Sequence, residues 1–206
     1  MTTTTVCFLA RAFAPMLLRV AEDVAAAAPP GTRVAVMSDA PSPSPVEPVP
    51  PPGVTLMHVS DDDAAAAGFR GSCSPHPAWD KALYAFARVD RSDAFVWFLE
   101  DDVFVPSAAR LLAVVREAAE RGAEFAGRGP PACGMGRAAL DAVDDAAREA
   151  GGLEGVLAAL AAQRGLRVVA VPEFDPPEAG AGAGGPVAGR FFHPVKDAAL
   201  YARLYA

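Results

Sequence analysis

The stretch DAFVWFLEDDVFVPS, from Asp93 to Ser107, sets three consecutive acids between two apolar segments. The run from Phe95 to Leu99 has the composition of a buried strand, and apolar residues resume at Val103, directly after the acids. Adjacent carboxylates repel one another, so this arrangement is costly unless something offsets the charge. The stretch therefore predicts a buried strand that delivers an acid cluster to a site.

Size and composition are those of a folded domain. The chain has 206 residues, 52% of them hydrophobic, so we expect a single domain over residues 1–206. No membrane segment or signal peptide is evident, so the location stays open: Golgi or ER lumen if the natural protein carries an anchor, otherwise cytoplasmic. The net charge of −7, without a cluster of lysines and arginines, argues against nucleic acid as a partner.

Segments typical of strands and of helices alternate outward from the central stretch. Besides that stretch, strands are expected at Thr4–Ala10, Thr32–Asp39, Val54–Val59, Ala123–Gly127 and Leu166–Phe174. Helices are expected at Ala14–Ala28, Ala78–Val89 and Ala108–Gly122, and as two consecutive helices between Gly136 and Gly165. A Pro-rich loop over 40–53 and a Gly-rich flexible loop over 175–190 interrupt this pattern. The alternation predicts an α/β domain with a mostly parallel mixed sheet sandwiched by helices.

In such sheets, ligands bind outside the carboxyl ends of the strands. The central stretch would bring Glu100, Asp101 and Asp102 to that edge. A divalent cation is the simplest way to offset the repulsion of clustered carboxylates, and hard oxygen ligands suit Mg²⁺ or Mn²⁺. The sequence thus predicts a cation site at the end of the central strand.

The segment VWFLEDDVFV resembles the DxD-type motif of GT-A glycosyltransferases, in which a hydrophobic strand ends in an acid, any residue and an aspartate. The order of TVCFLAR, MSD, WDKAL, FLEDDVFV, GGLEGVLAAL and FFHPVKD is similar to the order of parts in that family. The resemblance covers nearly the whole chain and implies the fold of nucleotide-diphospho-sugar transferases. It also implies metal-dependent transfer of a sugar, from a UDP-sugar, to a hydroxyl of a carbohydrate, glycoprotein or glycolipid acceptor.

The resemblance assigns roles around the cation. Asp102 would contact Mn²⁺ or Mg²⁺ directly, while Glu100 or Asp101 would hold the ribose or a metal-bound water. Glu100 is also a candidate metal ligand, and Asp101 a candidate catalytic residue. His193 would complete the coordination, and Lys196 would add a positive charge near the phosphates.

Further candidates lie on either side of the acids. Arg11 follows the first strand and is a candidate for binding a phosphate or the nucleoside, and Asp39 ends the second strand and is a candidate for the nucleoside. Asp80 and Lys81 open a helix and are candidates for the base or ribose. On the acceptor side, Glu154 resembles the catalytic acid of the superfamily and would serve an inverting enzyme as general base.

Simpler interpretations stand beside these. Glu100 to Asp102 could form a solvated turn, and His193 could be an ordinary structural histidine. Arg11, Asp39 and the residues that open the helix could be solvated or could cap turns. Two other functions also remain: a nucleotidyltransferase, which would use a similar sheet and carboxylate-bound Mg²⁺, and a catalytically silent relative that binds carbohydrate or a protein.

Overall fold

The structure is a computed structural model. It describes residues 3–39, 48–69, 78–129, 131–149 and 157–172, together with Phe191, Ala199, Arg203 and Tyr205. The predicted Gly-rich loop and most of the predicted Pro-rich loop lie outside these residues. No helix in the described ranges combines the length and apolar character needed to span a bilayer.

Strands and helices alternate as predicted. The strands are β1 (Thr3–Ala10), β2 (Thr32–Ser38), β3 (Val54–His58), β4 (Asp93–Glu100), β5 (Phe125–Gly129), β6 (Ala132–Gly136) and β7 (Val168–Val169). The α-helices are α1 (Pro15–Ala27), α2 (Asp61–Ala66), α3 (Trp79–Tyr84), α4 (Ala108–Glu120), α5 (Arg137–Glu149) and α6 (Leu157–Gln163). A π-helix, Ala85–Val89, continues directly from α3.

These described strands form one seven-stranded sheet in the order β3-β2-β1-β4-β6-β5-β7. Neighbouring strands pair in parallel except around β6, which is antiparallel to both β4 and β5. The predicted α/β class with a mostly parallel mixed sheet is therefore confirmed.

Both faces of the sheet are covered by helices. Alternate residues of β4 enter two separate cores, with Trp97 on one face and Phe98 on the other, as the two-residue period of a strand requires. Apolar residues of α1 and α4 pack on the Trp97 face. Those of α3, the π-helix, α5 and α6 pack on the Phe98 face. Because both of its faces are buried, β4 reads in the sequence as a continuous apolar run.

The glycines and prolines of the segment Gly129–Leu140 are typical of a backbone turn. The segment instead contains β6, whose residues Ala132–Gly136 are all buried within the sheet. Gly134 is the reason that the sequence pattern did not predict this strand. A Cβ at Gly134 would lie 2.7 Å from Cε3 of Trp97 and closer still to the ring of Phe95, so a glycine is needed where β-branched residues are usual.

Two helical features also differ from the predictions. The three acids Asp61, Asp62 and Asp63 lie outside every predicted helix but form the first turn of α2. The Ser60 hydroxyl caps this turn by accepting a 3.0 Å hydrogen bond from the Asp63 N–H. The predicted helix Ala78–Val89 changes to π geometry halfway along its length.

Arginine side chains bind the carbonyl groups of the π-helix. Nη2 of Arg137 donates to the Phe86 carbonyl at 2.8 Å, and Nη1 of Arg91 donates to the Ala87 carbonyl at 2.7 Å. Both arginines also contact the carboxylate of Asp141 on α5. The Arg137 contact joins residues 51 positions apart, so local spacing does not reveal it.

Candidate functional site

The carboxyl ends of β1, β2 and β4 meet where the order of strands reverses. From β1 the chain passes to β2 and β3 on one side, then returns to β4 on the other side of β1. The register pairs Ala10 with Ser38 and Leu9 with Glu100, so the ends of the three strands lie side by side. Such a reversal is the usual position of a ligand crevice in open α/β sheets.

The three acids form a tight turn at this position, which we call the acid turn (Glu100–Val103). The Val103 N–H donates to the Glu100 carbonyl at 3.1 Å, so Asp101 and Asp102 occupy the two central positions. The next residues, Val103–Val105, return to the core and are at most 3% exposed. Buried segments on both sides therefore hold two half-buried carboxylates at the edge of the sheet.

Glu100 itself is buried, with 3% of its surface exposed. Its Oε1 accepts a hydrogen bond of 2.8 Å from Nε1 of Trp79 in the first turn of α3. The Trp79 ring is also buried and packs against Phe98, with 5.6 Å between ring centroids. The N–H of Glu100 donates to the Pro131 carbonyl at 2.9 Å, which ties the start of the acid turn to the segment before β6.

Burial and neighbouring charges shift the pKa of Asp101 in the acid turn. Burial is the main reason that the pKa of Asp101 is raised, and the charges of Asp102 and Glu100 raise it further. A hydrogen bond from the Arg11 backbone N–H and the charge of the Arg11 side chain act in the opposite direction. The fold thus brings Arg11, at the end of β1, next to the predicted acid cluster.

Lys81 joins two further carboxylates beside this edge. Its Nζ lies 3.0 Å from Oδ1 of Asp39, just after β2, and 2.7 Å from Oδ1 of Asp61 on α2. Burial by itself lowers the pKa of Lys81, but hydrogen bonds to Asp61 and Asp39 outweigh it, so that the pKa is raised. Since the N–H of Asp39 also donates to the Ala10 carbonyl at 2.8 Å, Asp39 is fixed next to the end of β1.

The structure thus brings six of the predicted site residues to the carboxyl edge or to the helix beside it: Arg11, Asp39, Lys81, Glu100, Asp101 and Asp102. Asp80 lies half-buried in the first turn of α3, between two residues that contact the site. Glu154, His193 and Lys196 lie outside the described residues.

Sequence reasoning named neither Trp79 nor Asp61 as a site residue. A signal for Asp61 existed, because Ser60 followed by three acids is typical of a helix start. The Trp79 contact had no such signal, since the indole donor and the Glu100 acceptor are 21 residues apart.

The acid turn fits a hard divalent cation in its chemistry. Asp101 and Asp102 offer carboxylate oxygens at a partly open edge, and their repulsion is what a cation would relieve. Among the residues described, no group of three or more His, Cys, Asp or Glu side chains is arranged to hold a metal ion. A cation on the acid turn would therefore take further ligands from water, from a bound nucleotide or from residues outside the described ranges.

No protein-family model and no curated protein matches the sequence. Comparison of structures shows that the chain has a GT-A-type fold, that of nucleotide-diphospho-sugar transferases. One similar structure, from Desulfovibrio desulfuricans G20, is described as a nucleotide-diphospho-sugar transferase. It is 10% identical with a TM-score of 0.51, over 83% of this chain and 80% of the other.

A second similar structure is the galactosyltransferase LgtC in complex with donor and acceptor sugar analogues. It is 12% identical with a TM-score of 0.50, over 84% of this chain and 74% of LgtC. Rv0371c from Mycobacterium tuberculosis H37Rv, in complex with manganese, is 16% identical with a TM-score of 0.47, over 83% of this chain and 88% of the other. At these identities, the likeness defines the fold alone.

Proposed function

We propose that this protein is a metal-dependent glycosyltransferase that moves a sugar from a nucleoside-diphosphate sugar, specifically a UDP-sugar, to an acceptor hydroxyl. The observation that carries the proposal is the acid turn at the strand-order reversal of a GT-A-type sheet. The charged groups beside it, on Arg11 and on the pair of Asp39 and Lys81, supply polar contacts of the kind a nucleotide needs.

Asp102 would be the direct ligand of Mn²⁺ or Mg²⁺, and Asp101 would hold a metal-bound water or the ribose. Glu100, also predicted as a ligand, is buried behind them and bonded to Trp79, so it would support the site from there. When bound, such an ion acts as a Lewis acid and stabilises the charge on a departing diphosphate. Arg11 would contribute positive charge on the β1 side of the acid turn. Asp39, held by Lys81 but with 45% of its side chain exposed, would face the nucleoside.

The acceptor side of the proposal depends on sequence resemblance. Glu154 would accept the proton of the attacking hydroxyl in an inverting enzyme. His193 would be a further metal ligand and Lys196 a phosphate contact. These assignments predict that Glu154→Gln lowers kcat, whereas His193→Ala weakens the affinity for Mn²⁺.

A thermal-shift panel of nucleoside diphosphates and nucleotide sugars, each with and without Mn²⁺, tests the proposal. Ligands that bind the native state raise its apparent stability, by about 2.7 kcal/mol at a concentration 100 times Kd. The proposal predicts a rise in Tm with UDP or a UDP-sugar that depends on Mn²⁺. A chain stabilised by none of these ligands would contradict it, and pyrophosphate release from a nucleoside triphosphate would indicate a nucleotidyltransferase instead.

A further inference from the structure

The contact between Trp79 and Glu100 is unusual because both partners are almost fully buried. Trp79 is 2% exposed and Glu100 is 3% exposed, and the bond between Nε1 and Oε1 is 2.8 Å long. A carboxyl group in such surroundings needs a hydrogen-bond partner, because a buried polar group left without one costs free energy. The indole N–H therefore holds the Glu100 side chain in the orientation observed.

The backbone before Trp79 indicates that this orientation is enforced. Ala78 has φ of 62°, and among the described residues no other non-glycine residue has a positive φ. Such a conformation costs energy and persists only where the surrounding structure over-determines it. Here it starts α3 so that the Trp79 ring enters the core against Phe98 and its N–H meets Glu100.

The orientation of Glu100 matters to the two carboxylates beside it. Glu100 is the first residue of the acid turn, and its carbonyl accepts the hydrogen bond that closes the turn. Its charge also acts on Asp101, as described above. A side chain that fixes Glu100 therefore sets both the start of the turn and the local field on its two half-buried carboxylates.

We propose that Trp79 is a positioning residue for the cation site, acting through Glu100. This inference rests on the proposed function, because it assumes that the acid turn holds a divalent cation. Trp79 itself touches no reacting atom. Its indole N–H fixes the Glu100 side chain, and the half-buried carboxylates of Asp101 and Asp102 are thereby held in place for the ion. Partners of this kind behind metal ligands typically contribute about 10- to 100-fold to metal affinity.

The test uses two changes at Trp79. Trp79→Phe removes the donor and keeps an aromatic ring. Incorporation of 3-benzothienylalanine at Trp79 removes the donor while keeping the shape of the indole, and it carries the test if the phenylalanine variant fails to fold. The matched control is Trp97→Phe, on the opposite face of β4, since Trp97 is also fully buried.

Mn²⁺ binding in the presence of UDP is measured by calorimetry and by the EPR spectrum of the bound ion. We expect both Trp79 variants to bind Mn²⁺ at least about ten-fold more weakly and with an altered spectrum. Trp97→Phe should match the wild-type protein in both readouts. Equal affinity and an unchanged spectrum for the benzothienylalanine protein would overturn this inference and leave the proposed function standing. Wild-type protein that binds neither Mn²⁺ nor UDP would overturn the proposed function, and this inference with it.

Discussion

Lys81 carries a charge that is almost entirely enclosed, with 7% of its side chain exposed, whereas both of its carboxylate partners reach solvent. Lys81 therefore contacts both carboxylates from their buried side and holds Asp39 at the end of β2. The raised pKa of Lys81 means that this pairing is fully present below the unfolded-state value of about 10.4 and is lost as the pH rises through the higher folded-state value. Lys81 therefore stays charged near neutral pH, and its pairing with the two carboxylates is present there.

The substitution Lys81→Met tests whether Lys81 mainly positions Asp39 or mainly stabilises the fold. Since Asp39 and Asp61 remain partly hydrated without the ammonium group, we expect the free energy of unfolding to fall by only about 1 kcal/mol. The affinity for UDP should fall roughly ten-fold, because Asp39 loses its fixed position. Urea unfolding and calorimetry measure the two effects. Asp61→Asn, which leaves Asp39 paired with Lys81, is the control, and unchanged UDP affinity in Lys81→Met would count against this role.

Asp93 is a buried carboxylate at the opposite edge of the sheet. Burial raises its pKa, although the nearby charge of Arg33, with Nη1 3.5 Å from Oδ2, lowers it in part. A raised folded-state pKa stabilises the protein fully below the unfolded value of about 3.9, and this contribution is lost as the pH rises through the folded-state value.

Asp93→Asn should remove that dependence on pH. We therefore expect the stability of the wild-type protein, relative to the variant, to be greatest near pH 4 and to decline toward neutral pH. Chemical unfolding of both proteins across this range gives the difference directly. A relative stability of the wild-type protein that increases with rising pH would contradict the assignment.

At the scale of elements, the strands that could be predicted are those with a strong local signal. The apolar run of β4 is legible because both of its faces are buried, and Ser107 marks the start of α4 by accepting a hydrogen bond from the Arg110 N–H. The strand β6 was missed because Gly134 occupies a position where bulky neighbours leave no room for a side chain. Requirements of this kind arise from the packing of distant segments and have no local signature.

Gly134→Ala tests that explanation. The new Cβ would collide with the rings of Phe95 and Trp97, and overpacking of this kind typically costs about 1–3 kcal/mol of unfolding free energy. Gly136→Ala on the same strand is the matched control, since its Cβ would meet its nearest neighbour at an ordinary 3.4 Å. Urea unfolding of the two variants measures the contrast. Equal stabilities would mean that the core around Gly134 is looser than described.

At the scale of the whole molecule, the topology decides which residues meet. The sequence predicted that acids would lie at a carboxyl edge, and the observed strand order brings the end of β1, with Arg11, beside the acid turn. The sequence did not predict two sets of contacts: those of Lys81 with Asp39 and Asp61, and that of Trp79 with Glu100. They join segments far apart in the chain, and their geometry depends on how α3 lies against the sheet.

The proposed function requires that the acid turn holds a divalent cation for a nucleoside diphosphate. Calorimetric titration of Mn²⁺ in the presence of UDP, into the wild-type protein and Asp102→Asn, tests it most directly. Asp62→Asn, at an exposed acid of α2, is the control for loss of one negative charge. We expect binding to the wild-type and control proteins, and at least about 100-fold weaker binding, or about 2.7 kcal/mol, to a folded Asp102→Asn. Equal affinity in all three proteins would contradict the proposed function.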